Sequence, residues 1–92
     1  LALIIHGGPN SASRLRFTIG PQALAARGFI VFEPNYRGSD NLGNAFKAAI
    51  FNDAGEGPGQ DVMAGVAAVR ARPDVAPAKP LVSGWSYGGY MT

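Results

Sequence analysis

Three short apolar runs constrain this chain more than anything else in it: Leu-Ala-Leu-Ile-Ile at 1–5, Phe-Ile-Val-Phe at 29–32 and Leu-Val-Ser-Gly-Trp at 81–85. All are short and apolar, and the first two are ended by Gly or Pro, as strands buried within a sheet are. Between them the pattern turns helical. Phe17 to Arg27 carries Ala23, Leu24, Ala25 and Ala26, all good helix formers. Gly28 follows where a helix needs a residue at positive φ to stop. Asn44 to Ile50 predicts a short helix. Gln60 to Arg72 predicts the clearest one: Val62, Val66 and Val69 fall at i, i+4 and i+7, with Met63 and Ala67 beside them. Asp61 in its first turn, and Arg70 and Arg72 in its last, suit the helix macrodipole. The stretches 34–44 and 51–61 hold several turn formers and read as loops, with Asp53 and Glu56 as loop residues.

Strands alternating with helices predict an α/β fold: three parallel strands joined by right-handed crossover helices in a layered α/β/α arrangement. In such sheets ligands collect beyond the carboxyl ends of the strands. Two of those ends carry suggestive residues, "HGGP" at 6–9 and "GWSYGG" at 84–89.

Of 92 residues, 15% are charged, against roughly 25% in an average globular protein. A small free-standing domain should be polar outside, so the chain reads as an internal piece of a longer one, truncated at both ends. Its start lacks an initiator Met and the features of a signal peptide. The net charge of +2 is spread along the chain with no basic stripe, which argues against a nucleic-acid partner. No apolar run approaches the roughly 20 residues of a membrane span. There is no cysteine, hence no disulfide. No metal or cofactor is expected.

Gly84-Trp85-Ser86-Tyr87-Gly88 fits G-x-S-x-G, in which a serine sits on a sharp, strained strand-to-helix turn. Side chains two positions before and after the serine would collide with it and with the neighbouring strand. Glycine removes the collision, and Gly89 adds clearance. The turn would lift Ser86 Oγ above the sheet and point the amide of Tyr87 into the same space, at a helix N-terminus that favours negative charge. Acyl transfer needs preorganised donors for a tetrahedral oxyanion. Tyr87 N–H is one candidate, and Gly7 or Gly8 in "HGGP" supplies the other, because glycine lets backbone approach substrate closely. The competing reading of "HGGP" is a plain strand-terminating turn.

"HGGP", "ARGFIVFEPNYRGS", "DVMAGVAAV" and "GWSYGGYMT" together resemble the catalytic domain of the prolyl oligopeptidase family of serine peptidases, in its acylaminoacyl-peptidase and dipeptidyl-peptidase branches. The resemblance covers essentially the whole chain. It implies a partial α/β-hydrolase domain, normally following an N-terminal β-propeller that restricts entry to short peptides. It implies Ser86 as nucleophile and Tyr87 N–H as oxyanion donor. Some branches place at position 6 a tyrosine whose hydroxyl donates to the oxyanion. Here His6 stands there, so the donor falls to an amide of Gly7 or Gly8. The resemblance also implies that the first strand lies between the other two.

In this fold the triad acid and histidine follow the serine along the chain, so both would lie beyond Thr92. His6, the only histidine, is expected to shape the loop by bonding to nearby backbone rather than to serve as the base. Asp61 is expected at a helix start rather than as the catalytic acid. Arg37 could bind a substrate carboxylate or carbonyl, or pair with a nearby acid. Trp85 could line the pocket or pack under the elbow, and Tyr36 could face the cleft or another domain. The function expected is hydrolysis of peptide or acyl-peptide bonds of short peptides, the isolated piece being inactive. Two alternatives stay open: a carboxylesterase or lipase on the same fold, or a non-catalytic binding domain that retained the elbow.

Overall fold

A computed structural model describes all of residues 1–92. Strand β1 (Ala2–Ile5) is followed by helix α1 (Ile19–Ala25), strand β2 (Val31–Phe32), helices α2 (Asn44–Ala48) and α3 (Glu56–Arg70), strand β3 (Leu81–Gly84) and helix α4 (Tyr87–Met91). The sheet order is β2-β1-β3 and both pairings are parallel. Expectation and structure agree here: the most apolar run is the central strand. Ala2, Leu3 and Ile5 are buried, as suits a strand with neighbours on both edges.

Side-chain alternation sets the core. Leu3 and Ile5, two residues apart on β1, share one face. Val62 and Val66 of α3 pack on that face together with Tyr36. Met63 does not join them; it is exposed, because only the i, i+4 row meets the sheet. Strand β2 is shorter than the apolar run 29–32, although the Ile30 carbonyl still accepts a hydrogen bond from Ala2 N–H at 2.8 Å. Gly28 takes φ 87° directly after the α1 segment, as expected.

Helix α3 departs from the expected Gln60 start by beginning at Glu56. Two local features explain it. Pro58 lies in the first turn, where its missing N–H costs nothing. The Asp53 carboxylate accepts from the Gly57 amide at 2.9 and 3.1 Å, which satisfies a first-turn donor from a position that reads as plain loop. Asp61 is consequently not in the first turn of the helix.

The β1–β3 register positions everything that follows. Ile5 lies opposite Gly84, so the segment leaving β1 (His6-Gly7-Gly8) and the segment leaving β3 (Trp85-Ser86) emerge side by side at the same end of the sheet.

Candidate active site at the ends of β1 and β3

Strand β3 ends at Gly84, and α4 begins three residues later. So abrupt a change of direction forces the intervening backbone out of the common conformations. Ser86 absorbs it, with φ 56° and ψ −123°. A non-glycine residue there stores on the order of 1–3 kcal/mol of strain. The side chain of Ser86 caps no backbone amide of α4, and the residue is exposed.

The packing around the turn depends on missing side chains. A Cβ on Gly84 would run into the Gly88 carbonyl. One on Gly88 would run into the Ile5 carbonyl oxygen, with Ile5 C at 2.8 Å and His6 O at 2.9 Å. One on Gly7 would stand 2.9 Å from the Trp85 carbonyl oxygen and 3.3 Å from Ser86 Cβ. Three glycines thus let three backbone segments close on one another, and Gly7 lies directly against the serine. Gly89 is different: a Cβ there would meet nothing nearer than the Gly84 carbonyl oxygen at 3.6 Å, an ordinary contact. The clearance expected of Gly89 is not needed.

The amides of Gly7 and Gly8 lie outside any element and donate to no carbonyl of the chain, and the first-turn amide of Tyr87 likewise has no partner. The Tyr87 phenol points elsewhere. It donates to the Ala54 carbonyl at 2.6 Å, tying the elbow to the loop before α3, and burial, then the neighbouring Tyr90 and Asp53, push its pKa up. The peptide between Gly8 and Pro9 is cis.

His6 bonds into its own loop, as expected. Its Nδ1 lies 2.7 Å from the Gly7 carbonyl oxygen, and its Nε2 lies 2.9 Å from Ser39 Oγ. Both ring nitrogens are therefore engaged away from Ser86. Tyr36 faces neither a cleft nor open surface. It is 1% exposed, stacks on the His6 ring with centroids 4.4 Å apart, and donates its hydroxyl to the His6 carbonyl at 2.6 Å. Neither placement expected of Tyr36 holds, because its burial comes from a stack on a residue 30 positions earlier, which no spacing within its own loop encodes.

Arg37 finds its partner inside the fold. Nε and Nη2 each donate to Asp61 at 2.7 Å, and its amide donates to the same carboxylate at 3.0 Å. The side-chain hydrogen bond from Arg37 holds the Asp61 carboxyl below the usual carboxylate range, against the desolvation that would raise it; the Arg37 amide and charge add to the lowering. Because the folded carboxyl is the more acidic, the pair contributes fully above the ordinary pKa of about 3.9 and is lost as pH falls through the folded value. In the full-length protein, the Tm deficit of Asp61→Asn relative to wild type should be largest near about pH 7 and should shrink as pH falls below the ordinary carboxylate pKa of about 3.9. A deficit that does not vary with pH would contradict the ion-pair account.

Trp85 is 84% exposed and so does not pack under the elbow. The largest cleft, about 430 Å³, borders the HGGP loop at Pro9 and Asn10 and includes Lys47, Ile50 and Phe51, but no elbow residue. No group of three or more His, Cys, Asp or Glu is placed to hold a metal ion, and no helix is long and apolar enough to cross a membrane.

Comparison with known proteins bears on this geometry. Residues 15–92 match the model of the prolyl oligopeptidase family. The chain is 40% identical over its whole length to the "Uncharacterized peptidase YuxL" of Bacillus subtilis, of which it covers 14%. It is 35% identical over 99% of its length to dipeptidyl-peptidase 5 of Schizosaccharomyces pombe, again covering 14%. It is 34% identical over 99% of its length to dipeptidyl-peptidase 5 of Aspergillus oryzae, covering 13%. The chain thus spans about one seventh of the length of these curated relatives.

Proposed function

The chain belongs to the prolyl oligopeptidase family, and from that premise we propose that Ser86 is the nucleophile of a serine peptidase acting on short peptides or acyl-peptides. The observation that carries the reading is the contact between the two loops. Gly7 backbone stands against Ser86 Cβ, on an elbow whose serine is held at φ 56°. On this reading Ser86 and the three uncommitted amides serve one reaction centre.

The chemistry follows from that juxtaposition. Ser86 Oγ attacks the acyl carbonyl carbon and gives up its proton to a general base. The carbonyl π electrons move to oxygen, and the oxyanion accepts hydrogen bonds from Tyr87 N–H and from an amide of Gly7 or Gly8. The tetrahedral intermediate collapses, the protonated base gives its proton to the nitrogen, the C–N bond breaks, and the neutral amine leaves. Water then hydrolyses the acyl-enzyme by the same steps in reverse order. His6 is spent on Gly7 and Ser39, so we assign the base, and the acid that orients it, to other parts of the longer protein. On this reading the 92 residues alone would turn over no substrate.

Assay of the full-length protein with short chromogenic peptide amides, acyl-peptide amides and simple esters tests the reading. Turnover of the amides is expected. Turnover of esters with none of any amide would instead favour a carboxylesterase on the same elbow.

A further inference from the structure

We propose that Tyr36 is the residue that positions the oxyanion-binding loop, by fixing the peptide planes that carry the Gly7 and Gly8 amides. The inference rests on the serine peptidase reading above.

Gly7 and Gly8 lack a Cβ, so the planes on either side of them can swing more freely than any others in the chain. A donor that swings must be reoriented during the reaction, which forfeits the advantage of preorganisation. Something must hold each plane, and the structure contains one holder for each.

A trans peptide is rigid, and its C=O and N–H point in opposite directions. The carbonyl of His6 and the amide of Gly7 share one plane. Tyr36 Oη donates to that carbonyl at 2.6 Å, so anchoring the oxygen sets the direction of the Gly7 N–H on the other side. The carbonyl of Gly7 and the amide of Gly8 share the next plane. Its oxygen lies 2.7 Å from His6 Nδ1. A carbonyl can only accept, so Nδ1 carries the proton, and the imidazole sets the direction of the Gly8 N–H.

The imidazole must itself be held, and Tyr36 holds that too. The two rings stack with centroids 4.4 Å apart and 16° between planes, and Tyr36 Oη also stands 3.2 Å from Nδ1. From the far side, buried Ser39 lies between the two, its Oγ 2.9 Å from His6 Nε2 and 2.7 Å from the Tyr36 carbonyl oxygen, with one hydroxyl proton to serve either acceptor. Asn10 closes the loop by donating Nδ2 to the Gly38 carbonyl at 2.8 Å. Both planes thus trace back to one phenol that is almost wholly buried. Its hydroxyl cannot touch substrate, so Tyr36 is a positioning residue and not a catalytic one.

The test uses the full-length protein and Tyr36→Phe, which removes the hydroxyl and keeps the stack. Oxyanion donors act on the transition state, so kcat should fall about 10- to 100-fold with KM changed less than about twofold. Affinity for a peptidyl boronic acid, whose serine adduct carries the tetrahedral charge, should fall in parallel, while affinity for the product peptide should not. Should Tyr36→Phe fail to fold, His6→Phe tests the same chain of contacts: it keeps the stack and loses the bond to Gly7, and the same split is expected. Wild-type kcat and boronate affinity in the folded variant would overturn the inference alone, as would equal losses of boronate and product affinity. A wild-type protein that binds no boronate would overturn the peptidase reading and the inference with it.

Discussion

Gly88→Ala should abolish the proposed peptidase activity of the full-length protein and lower its stability by about 3 kcal/mol or more, whereas Gly89→Ala should change neither by much. The two positions are adjacent in one helix and chemically identical, so the contrast isolates geometry. A methyl at 88 would enter the Ile5 carbonyl oxygen and press on the His6 carbonyl oxygen. Neither obstacle is a flexible side chain. Both are backbone at the end of the central strand or just past it, where Ile5 pairs with Gly84 of β3 and the His6 carbonyl accepts from Tyr36. Overpacking commonly costs about 1–3 kcal/mol, and more where nothing can yield. Relief would come only by moving the elbow away from β1, which separates Ser86 from the Gly7 loop. At 89 the same methyl finds its first neighbour 3.6 Å away. Alanine also favours helix over glycine by about 1 kcal/mol, so Gly89→Ala should be neutral or mildly stabilising. Thermal unfolding and steady-state turnover of the two variants check this. Equal damage from both would mean that the close approach of elbow and β1 is not what matters.

The second large effect concerns the serine. Ser86→Ala should reduce kcat on the order of 10⁶-fold, as loss of a nucleophile from an acyl-transfer site does, while substrate affinity stays near that of wild type. Alanine cannot form an acyl-enzyme. The residual rate would come from bound substrate and the oxyanion donors acting on water. Alanine does not relieve the backbone at position 86 either, since it still carries a Cβ at φ 56°. Stability should therefore change little, and the loss would be chemical rather than structural.

Much of this arrangement was legible in the residues. Alternating apolar runs and helical segments specified parallel strands, because each run is too short to be anything else and the segments between them carry helical spacing. The resemblance carried by "NYRGS" and "GWSYGGYMT" specified the strand order, which the structure bears out as β2-β1-β3. The elbow was legible because its glycines are set by local sterics: Gly84 and Gly88 clash with atoms that any such turn brings close.

Most of what escaped the sequence depends on contacts between distant segments, and one miss is local. The early start of α3 turns on Asp53 reaching forward to the Gly57 amide, a loop acid used as a cap. The partner of Arg37 could not be chosen from among several acids until the fold brought Asp61 to it. Tyr36 was expected to face the cleft or another domain, and it does neither. Its burial depends on a histidine 30 positions earlier, and no pattern of spacing within either loop encodes a stack between them. The exposure of Trp85 and the idleness of Gly89 were hidden for a related reason: neither is a property of the turn alone, and each needs the surrounding backbone to be known.

The central claim is that Ser86 is a nucleophile presented beside the HGGP loop. Intact-mass and peptide mapping of the full-length protein after treatment with a fluorophosphonate tests it most directly. The account predicts one adduct per chain, mapped to Ser86, forming in step with loss of activity and absent from Ser86→Ala. Inactivation with the adduct on any other residue, or an active enzyme that leaves Ser86 unmodified, would contradict it.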